Sequence, residues 1–221
     1  MTSLSFGDNY AVLNLDWMPL LINAVKDTPE GQAFIMNCTK WNDAVHKKYP
    51  RPLTAFSALS FGPGQPEVQP SSPFGNMVSP YGSLTNGSHE VQIDGHFKVD
   101  EGDVILQKTR WSATMGHALE QILKAQGIKT VVIVCDALTL YSQCYTDTML
   151  QSGLTLSGVV MSTIYRLFDL DYHVYVIRDN VLDLPVDQTA TVSNVMLDLL
   201  LPKMGFRVVS IDEAMQALEK F

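Results

Sequence analysis

Cysteine and basic residues are both scarce in this sequence, and their scarcity excludes several classes of protein. The three cysteines, Cys38, Cys135 and Cys144, are too few and too irregularly spaced for a disulfide framework, so we expect free thiols in a reducing compartment. Lys and Arg total 15 against 23 Asp and Glu, which gives a formal net charge of −8. Because no basic cluster offsets this charge, nucleic acid is a poor partner for the chain.

A targeting segment or membrane anchor is also not evident at the start of the chain. The first residues carry no basic stretch, and Asp8, Asn9, Asn14 and Asp16 interrupt the apolar residues there. This pattern is typical of neither a signal peptide nor a membrane helix. We therefore expect a cytoplasmic protein with no membrane partner.

The sequence does contain alternating strand and helix patterns. Its 221 residues, 46% of them hydrophobic, suffice for one domain with a sizeable core. Short apolar runs predict strands, and capped or amphipathic stretches predict helices; the strands are expected at 10–15, 53–59, 104–107, 129–134, 172–177 and 207–210, and the helices at 28–48, 113–126, 157–170, 185–201 and 211–219. This order predicts an α/β fold, a Rossmann-like three-layer αβα arrangement around a mainly parallel six-stranded sheet.

Residues 62–90 differ in composition from the rest of the chain. Five prolines and five glycines alternate there, which predicts a long loop. Such loops in compact domains often serve as lids or binding elements. A solvated connection between two elements is an equally good interpretation.

Asp16 and Lys108 each lie where a predicted strand ends. In parallel sheets, ligands bind beyond these carboxyl ends. A carboxylate and an ammonium brought together there would shift each other's pKa. The alternative for Asp16 is a plain cap or turn residue, which is common after a strand.

The segment 152–163, SGLTLSGVVMST, predicts a tight strand-to-helix turn that begins at Gly153. Backbone N–H groups at such a helix start can hold an oxyanion. The glycine spacing fits neither a P-loop nor a dinucleotide-binding fingerprint.

These features together resemble the isochorismatase-like superfamily of cysteine hydrolases over nearly the whole chain, as one domain spanning 1–221. The resemblance rests on an ordered set of segments: the Asp16 strand, QKTRWSA at 107–113, the AQGI bend at 125–128, the Gly153 turn, and DLDY at 169–172 leading into a strand.

The resemblance implies a site made of an aspartate, a lysine and a cysteine. By match, Asp16 is the aspartate and Lys108 the lysine, whereas Val159 occupies the position of the family cysteine, six residues after Gly153. Valine is no nucleophile, so the thiolate route is closed. The SGVVMST string is similar to a cysteine-free branch of the superfamily.

Two functions remain open, so whether the chain is an enzyme is left undecided. The first is a hydrolase that acts on a small carboxylated or enol-ether metabolite of the isochorismate type, with Asp16 as the acid and Lys108 orienting the substrate carboxylate. The second is an inactive relative that binds a metabolite or a protein partner. The substrate-binding candidates are Trp17, Phe61, Trp111, Leu154 and Thr155, and for the three aromatics an ordinary core position is the alternative.

No cofactor is expected. The five histidines show no metal-ligand spacing, and no Asp-x-His motif of the kind that metal-dependent relatives supply is found, so we predict no metal. Self-association is implied by the resemblance alone, as a homo-oligomer.

The eighteen residues 134–151 interrupt the family pattern. Joining Ile133 directly to Ser152 would restore a strand that runs into the glycine turn. We interpret the segment either as translated intron or as a genuine insertion beside the site. Sequencing the transcript distinguishes the two.

Overall fold

The computed structural model describes residues 4–135, 156–183 and 186–220. Six strands form one sheet: β1 Tyr10–Leu15, β2 Leu53–Leu59, β3 Val104–Lys108, β4 Thr130–Cys135, β5 His173–Ile177 and β6 Arg207–Val209. Their order is β3-β2-β1-β4-β5-β6, and every neighbouring pair is parallel. The central strand β1 is buried along its whole length, as expected when both faces of a sheet are covered.

Helices cover the two faces of this sheet. They are α1 Pro19–Val25, α2 Pro29–Lys47, α3 Pro73–Val78, α4 Leu119–Ala125, α5 Met161–Asp169, α6 Thr189–Val195, α7 Leu201–Lys203 and α8 Ile211–Glu219. A π-helical turn, Leu156–Val160, leads into α5, and another, Met196–Leu200, joins α6 to α7. The predicted α/β fold is confirmed. Within the described ranges no helix combines the length and the apolar character needed to cross a membrane.

The strand order places the end of β1 at a special point of the sheet. From β1 the chain moves outward through β2 to β3, and it then returns to the other side of β1 for β4, β5 and β6. The carboxyl ends of β1 and β4 therefore flank the point where the winding reverses, which is where ligands bind in such sheets. Asp16 follows β1 directly at this edge.

The helix predicted at 113–126 begins six residues later than expected, at Leu119. Gly116 has a φ of 94°, in the left-handed region, and Met115 O accepts from Thr109 N over 3.3 Å, so a helix cannot run through these residues.

The loop at 62–90 is packed against the domain. It contains α3, and its residue Thr85 forms a bridge with Phe61. Val78 and Leu84 are buried in the core. A purely solvated connection would lack such contacts.

The eighteen-residue segment begins inside the sheet. Val134 and Cys135 belong to β4 and pair with Asn14 and Leu15 of β1. Residues 136–151 lie outside the described residues, so the origin of the segment stays a prediction.

Candidate active site

Asp16 and Lys108 meet at the carboxyl edge of the sheet. Lys108 Nζ lies 2.8 Å from Asp16 Oδ2, and both side chains are 0% exposed. Although β2 lies between their strands, the long lysine side chain brings the ammonium to the end of β1. This ion pair is the only one in the described ranges with both side chains completely buried.

The backbone at Asp16 turns sharply out of the sheet. Its φ is 59°, in the left-handed region that is unusual for residues other than glycine but less so for aspartate. Asp16 N still donates to Ser57 O over 2.8 Å, and Met18 N donates to Asp16 O over 2.8 Å. These bonds fix the turn, and with it the position of the carboxyl group.

The environment of the pair favours a protonated Asp16. Burial raises the pKa of Asp16, while the charge and hydrogen bonding of Lys108 and a hydrogen bond with the Ser57 side chain partly offset that rise. Oδ1 of Asp16 is buried and accepts from no backbone N–H among the described residues. A buried carboxyl group with a raised pKa and few donors is suited to hold and deliver a proton.

The ammonium of Lys108 is fully engaged with the protein. Besides the Asp16 carboxylate, Nζ contacts Trp111 O at 2.9 Å and Arg110 O at 3.3 Å. An ammonium has three N–H donors, so each has a protein acceptor. Sequence analysis expects Lys108 to orient a substrate carboxylate, but in this arrangement no N–H of Lys108 is left for one.

Val159 lies in the π-helical turn that precedes α5 and is 0% exposed. Ser162 Oγ donates to Val159 O over 3.1 Å, so this hydroxyl is directed at the helix backbone. Gly153, Leu154 and Thr155 lie outside the described residues, and the predicted roles of Leu154 and Thr155 stay predictions.

The start of this helical segment is closed by residues that sequence reasoning missed. Leu156 N donates to Leu182 O over 3.2 Å, and Ser157 N donates to Asp183 Oδ2 over 3.1 Å. Thr189 Oγ1 in turn donates to Asp183 O over 2.6 Å. An aspartate near a predicted helix suggests a local cap, and only the fold reveals that Asp183 caps a helix 26 positions earlier.

The three candidate aromatic residues occupy different environments. Trp17 is completely buried and packs on Phe56 and Phe97, with ring centroids 5.6 and 4.2 Å away, so it is a core residue. Phe61 is also in the core and meets the ring of Phe74 edge-on at 6.2 Å. Trp111 is half-buried, and its carbonyl accepts from Lys108.

A thiol also lies near the pair. Cys135 is the last residue of β4 and pairs with Leu15, the residue before Asp16. It is buried. From the sequence, we place Cys135 in the extra segment 134–151. The structure shows that it is the last residue of the central strand β4.

His117 is a second residue that the sequence did not indicate. Burial lowers its pKa and the charge of Lys108 lowers it further, which keeps the imidazole neutral. Nδ1 accepts from Leu119 N over 3.2 Å, at the start of α4. His117 therefore acts as a helix cap beside the lysine.

The sequence analysis is wrong about the Asp-x-His motif, because Asp94-Gly95-His96 has that form. Asp94 Oδ1 accepts from His96 N at 2.9 Å and lies 2.6 Å from His96 Nδ1. The carboxylate and the imidazole are thus paired with each other. Across the described residues, no group of three or more His, Cys, Asp or Glu side chains is arranged to hold a metal ion.

A groove of about 770 Å³ lies at the opposite edge of the sheet. It is lined by the first residues of three strands, Thr130, His173 and Arg207, together with Tyr175. The ion pair lies at the carboxyl edge, so this groove is not part of the candidate site.

Comparisons with known proteins agree with the α/β fold described above. Among solved structures, an isochorismatase family protein from Burkholderia thailandensis has a TM-score of 0.72 and 19% identity, covering 99% of this chain and 100% of its own. A cysteine hydrolase from Pseudomonas syringae pv. phaseolicola 1448A has a TM-score of 0.75 and 13% identity, covering 99% of both chains. N-carbamoylsarcosine amidase from Thermoplasma acidophilum has a TM-score of 0.65 and 17% identity, covering 93% of this chain and 98% of its own.

These identities are low, so the solved structures establish the fold alone. No curated protein matches the chain. The profile of the isochorismatase domain matches residues 10–134, more than half of the chain, and this range includes both Asp16 and Lys108. The chain therefore belongs to the isochorismatase family of hydrolases.

Proposed function

We propose that this chain is a hydrolase of small carboxylated or enol-ether metabolites of the isochorismate type, with Asp16 as the proton donor and no thiol nucleophile. The observation that carries the proposal is the buried pair of Asp16 and Lys108, 2.8 Å apart, whose carboxyl group accepts from no backbone N–H among the described residues. Burial raises the pKa of Asp16, which is what a general acid requires near neutral pH.

The chemistry of an enol ether needs an acid and a water molecule. Asp16 transfers its proton to the terminal vinyl carbon, and the ether oxygen shares the positive charge of the resulting oxocarbenium ion. Water adds to the cationic carbon and returns a proton to the Asp16 carboxylate. The hemiketal then collapses, releasing the ring alcohol and pyruvate. No step forms a covalent bond to the protein, so Val159 is compatible with the reaction.

Pyruvate release from isochorismate tests this function. We expect the wild-type protein to release pyruvate, and Asp16→Asn to lower the rate by about 10²- to 10⁴-fold, the usual contribution of a general acid. Asp198→Asn, which removes an equal charge from an exposed ion pair with Arg178, should leave the rate unchanged. Equal background rates for wild type and Asp16→Asn would reject the proposal.

A second candidate is a non-catalytic protein that binds a metabolite or a partner. The observation favouring it is the complete burial of Val159, the residue that the sequence resemblance assigns to the position of the family nucleophile. A thermal-shift screen would then find stabilising ligands, because a ligand that binds the folded state raises the melting temperature. Ligands that stabilise the protein without being turned over would favour this candidate.

A further inference from the structure

Two of the five arginines in the sequence contact none of the carboxylates that the structure describes. Arg51, Arg166 and Arg178 each form an ion pair with an aspartate or a glutamate. Arg110 and Arg207 do not. Arg207 is the first residue of β6, whereas Arg110 follows β3 by two residues and so lies at the carboxyl edge, beside the candidate site.

The guanidinium of Arg110 is held in place without being neutralised. One of its terminal nitrogens donates to Thr109 O over 2.6 Å, and the other donates to Glu67 O over 2.9 Å. The group also lies 4.8 Å from the centroid of the Phe74 ring. A guanidinium has five N–H donors, so three have no acceptor among the described residues, and the residue is only half-buried. Arg110 is a fixed positive charge that a ligand can reach.

Lys108 and Arg178, two other basic residues at this edge, already contact protein oxygens, and His117 is neutral. The three donors of Lys108 contact protein oxygens, and Arg178 donates to Asp198 Oδ1 over 2.8 Å. His117 has a lowered pKa and is neutral. Residues 136–155, which link β4 to the helix start, contain no Lys, Arg or His.

The first N–H groups that the structure describes in the helical segment before α5 also have partners. The N–H groups of Leu156 and Ser157 bond to Leu182 O and to the Asp183 carboxylate. A substrate carboxylate would have to displace Asp183, whose side chain is buried, and would be repelled by its charge.

We propose that Arg110, and not Lys108, binds the carboxylate of the substrate. Lys108 instead acts as a positioning residue that holds Asp16 and the backbone of residues 110 and 111. The planar guanidinium offers a carboxylate two parallel N–H donors, and Phe74 and Glu67 O set the plane of that fork. The loop at 62–90 supplies both, so it is part of the binding site in this proposal.

The proposal rests on the proposed function for its substrate class, but a binding experiment tests it without turnover. Calorimetry at pH 7 with sodium benzoate and with benzamide compares a carboxylate with an uncharged ligand of the same shape. We expect the wild-type protein to bind benzoate more tightly. Arg110→Gln should weaken benzoate binding by about 10- to 100-fold, the range for hydrogen bonds to a charged group, and leave benzamide binding unchanged.

Arg207→Gln is the matched control. It removes the same charge and a similar ring contact, since the Arg207 guanidinium lies 5.8 Å from the Tyr175 ring, but at the opposite edge of the sheet. It should leave benzoate binding unaltered. If Arg110→Gln lowers the melting temperature, Arg110→Lys is the second test variant. It keeps the positive charge but loses the two parallel N–H donors of the guanidinium, so we expect it to bind benzoate severalfold more weakly than the wild type.

Two results would overturn the assignment: benzoate binding by Arg110→Gln as tight as by wild type, or no preference of the wild type for benzoate over benzamide. Failure here is separate from failure of the proposed function. If pyruvate release depends on Asp16 but Arg110→Gln does not change benzoate binding, the proposed hydrolase function stands. The assignment of Arg110 as the carboxylate-binding residue is then wrong.

Discussion

Two buried aspartates, Asp16 and Asp103, show how differently the same side chain is used in one protein. Both carboxylates are 0% exposed. Asp103 Oδ2 accepts from Asp100 N at 2.7 Å and lies 3.1 Å from His46 Nε2, while Arg51 bonds to its Oδ1. Asp16 has fewer partners, which are Lys108 Nζ at 2.8 Å from Oδ2 and the side chain of Ser57.

This difference indicates that the Asp103 cluster is structural, whereas the pair of Asp16 and Lys108 is reactive. Asp103, in the turn before β3, contacts His46 near the end of α2 and Arg51, four residues beyond that helix, so its charge is fully compensated. The carboxyl group of Asp16 is incompletely compensated, which is costly unless the carboxyl group carries a proton. A buried carboxylate with too few donors is therefore the better candidate for chemistry.

The largest effect on stability should follow from breaking the reactive pair. At a pH above the pKa of Asp16, Lys108→Met leaves an ionised Asp16 buried without its counter-charge, and we expect the free energy of unfolding to fall there by about 3–5 kcal/mol. Adding Asp16→Asn removes that charge and should restore part of the loss at the same pH. Chemical denaturation measures both; a double variant as unstable as the sum of the two single variants would mean that the pair is not coupled.

The pH dependence of the rate should be the next largest effect. Asp16 acts only when protonated, and its protonated fraction falls tenfold for each pH unit above its pKa. Because burial raises that pKa, the rate should fall with rising pH above the usual carboxyl range. Pyruvate release between pH 4 and pH 9 measures this profile. A rate that rises with pH throughout would contradict a protonated donor.

The smallest effect should come from Asp100, which contacts His46 and Arg51 beside Asp103, and it should appear in the stability at acid pH. The hydrogen bond from Lys98, followed by the charges of His46, Lys98 and Arg51, lowers the pKa of Asp100. A lowered folded-state pKa means that Asp100 stabilises the fold above its unfolded pKa, and that this contribution disappears as pH falls through the folded value. The difference in melting temperature between wild type and Asp100→Asn should therefore shrink on acidification, and a constant difference would argue against this.

Most of the fold could be predicted from the sequence because its signals are local. The apolar run at Tyr10–Leu15 and the Thr28 cap before Pro29 mark β1 and α2 at the bounds that the structure has. The helix start at Leu119 could not be predicted, because Gly116 takes a left-handed φ of 94° and Met115 O accepts from Thr109 N at the end of β3. Such a turn depends on contacts that local patterns do not record.

Some residues of the candidate site could likewise be predicted from the sequence, and others could not. Asp16 and Lys108 could be proposed from the sequence because each lies at the end of a predicted strand and the resemblance implies a site role for both. The contribution of Asp183 depends on a contact between distant segments, and that of Arg110 depends on counting the donors around Lys108 in space. Sequence reasoning identifies residue types at strand ends, but it does not reveal which donors are already occupied.

The central claim, acid catalysis without a thiol, is tested most directly by a variant in which Cys38, Cys135 and Cys144 are all replaced by alanine. Cys135 matters most, since it ends the strand beside Asp16. We predict that the folded variant releases pyruvate from isochorismate at close to the wild-type rate. A correctly folded variant with no activity, beside an active wild type, would contradict the account.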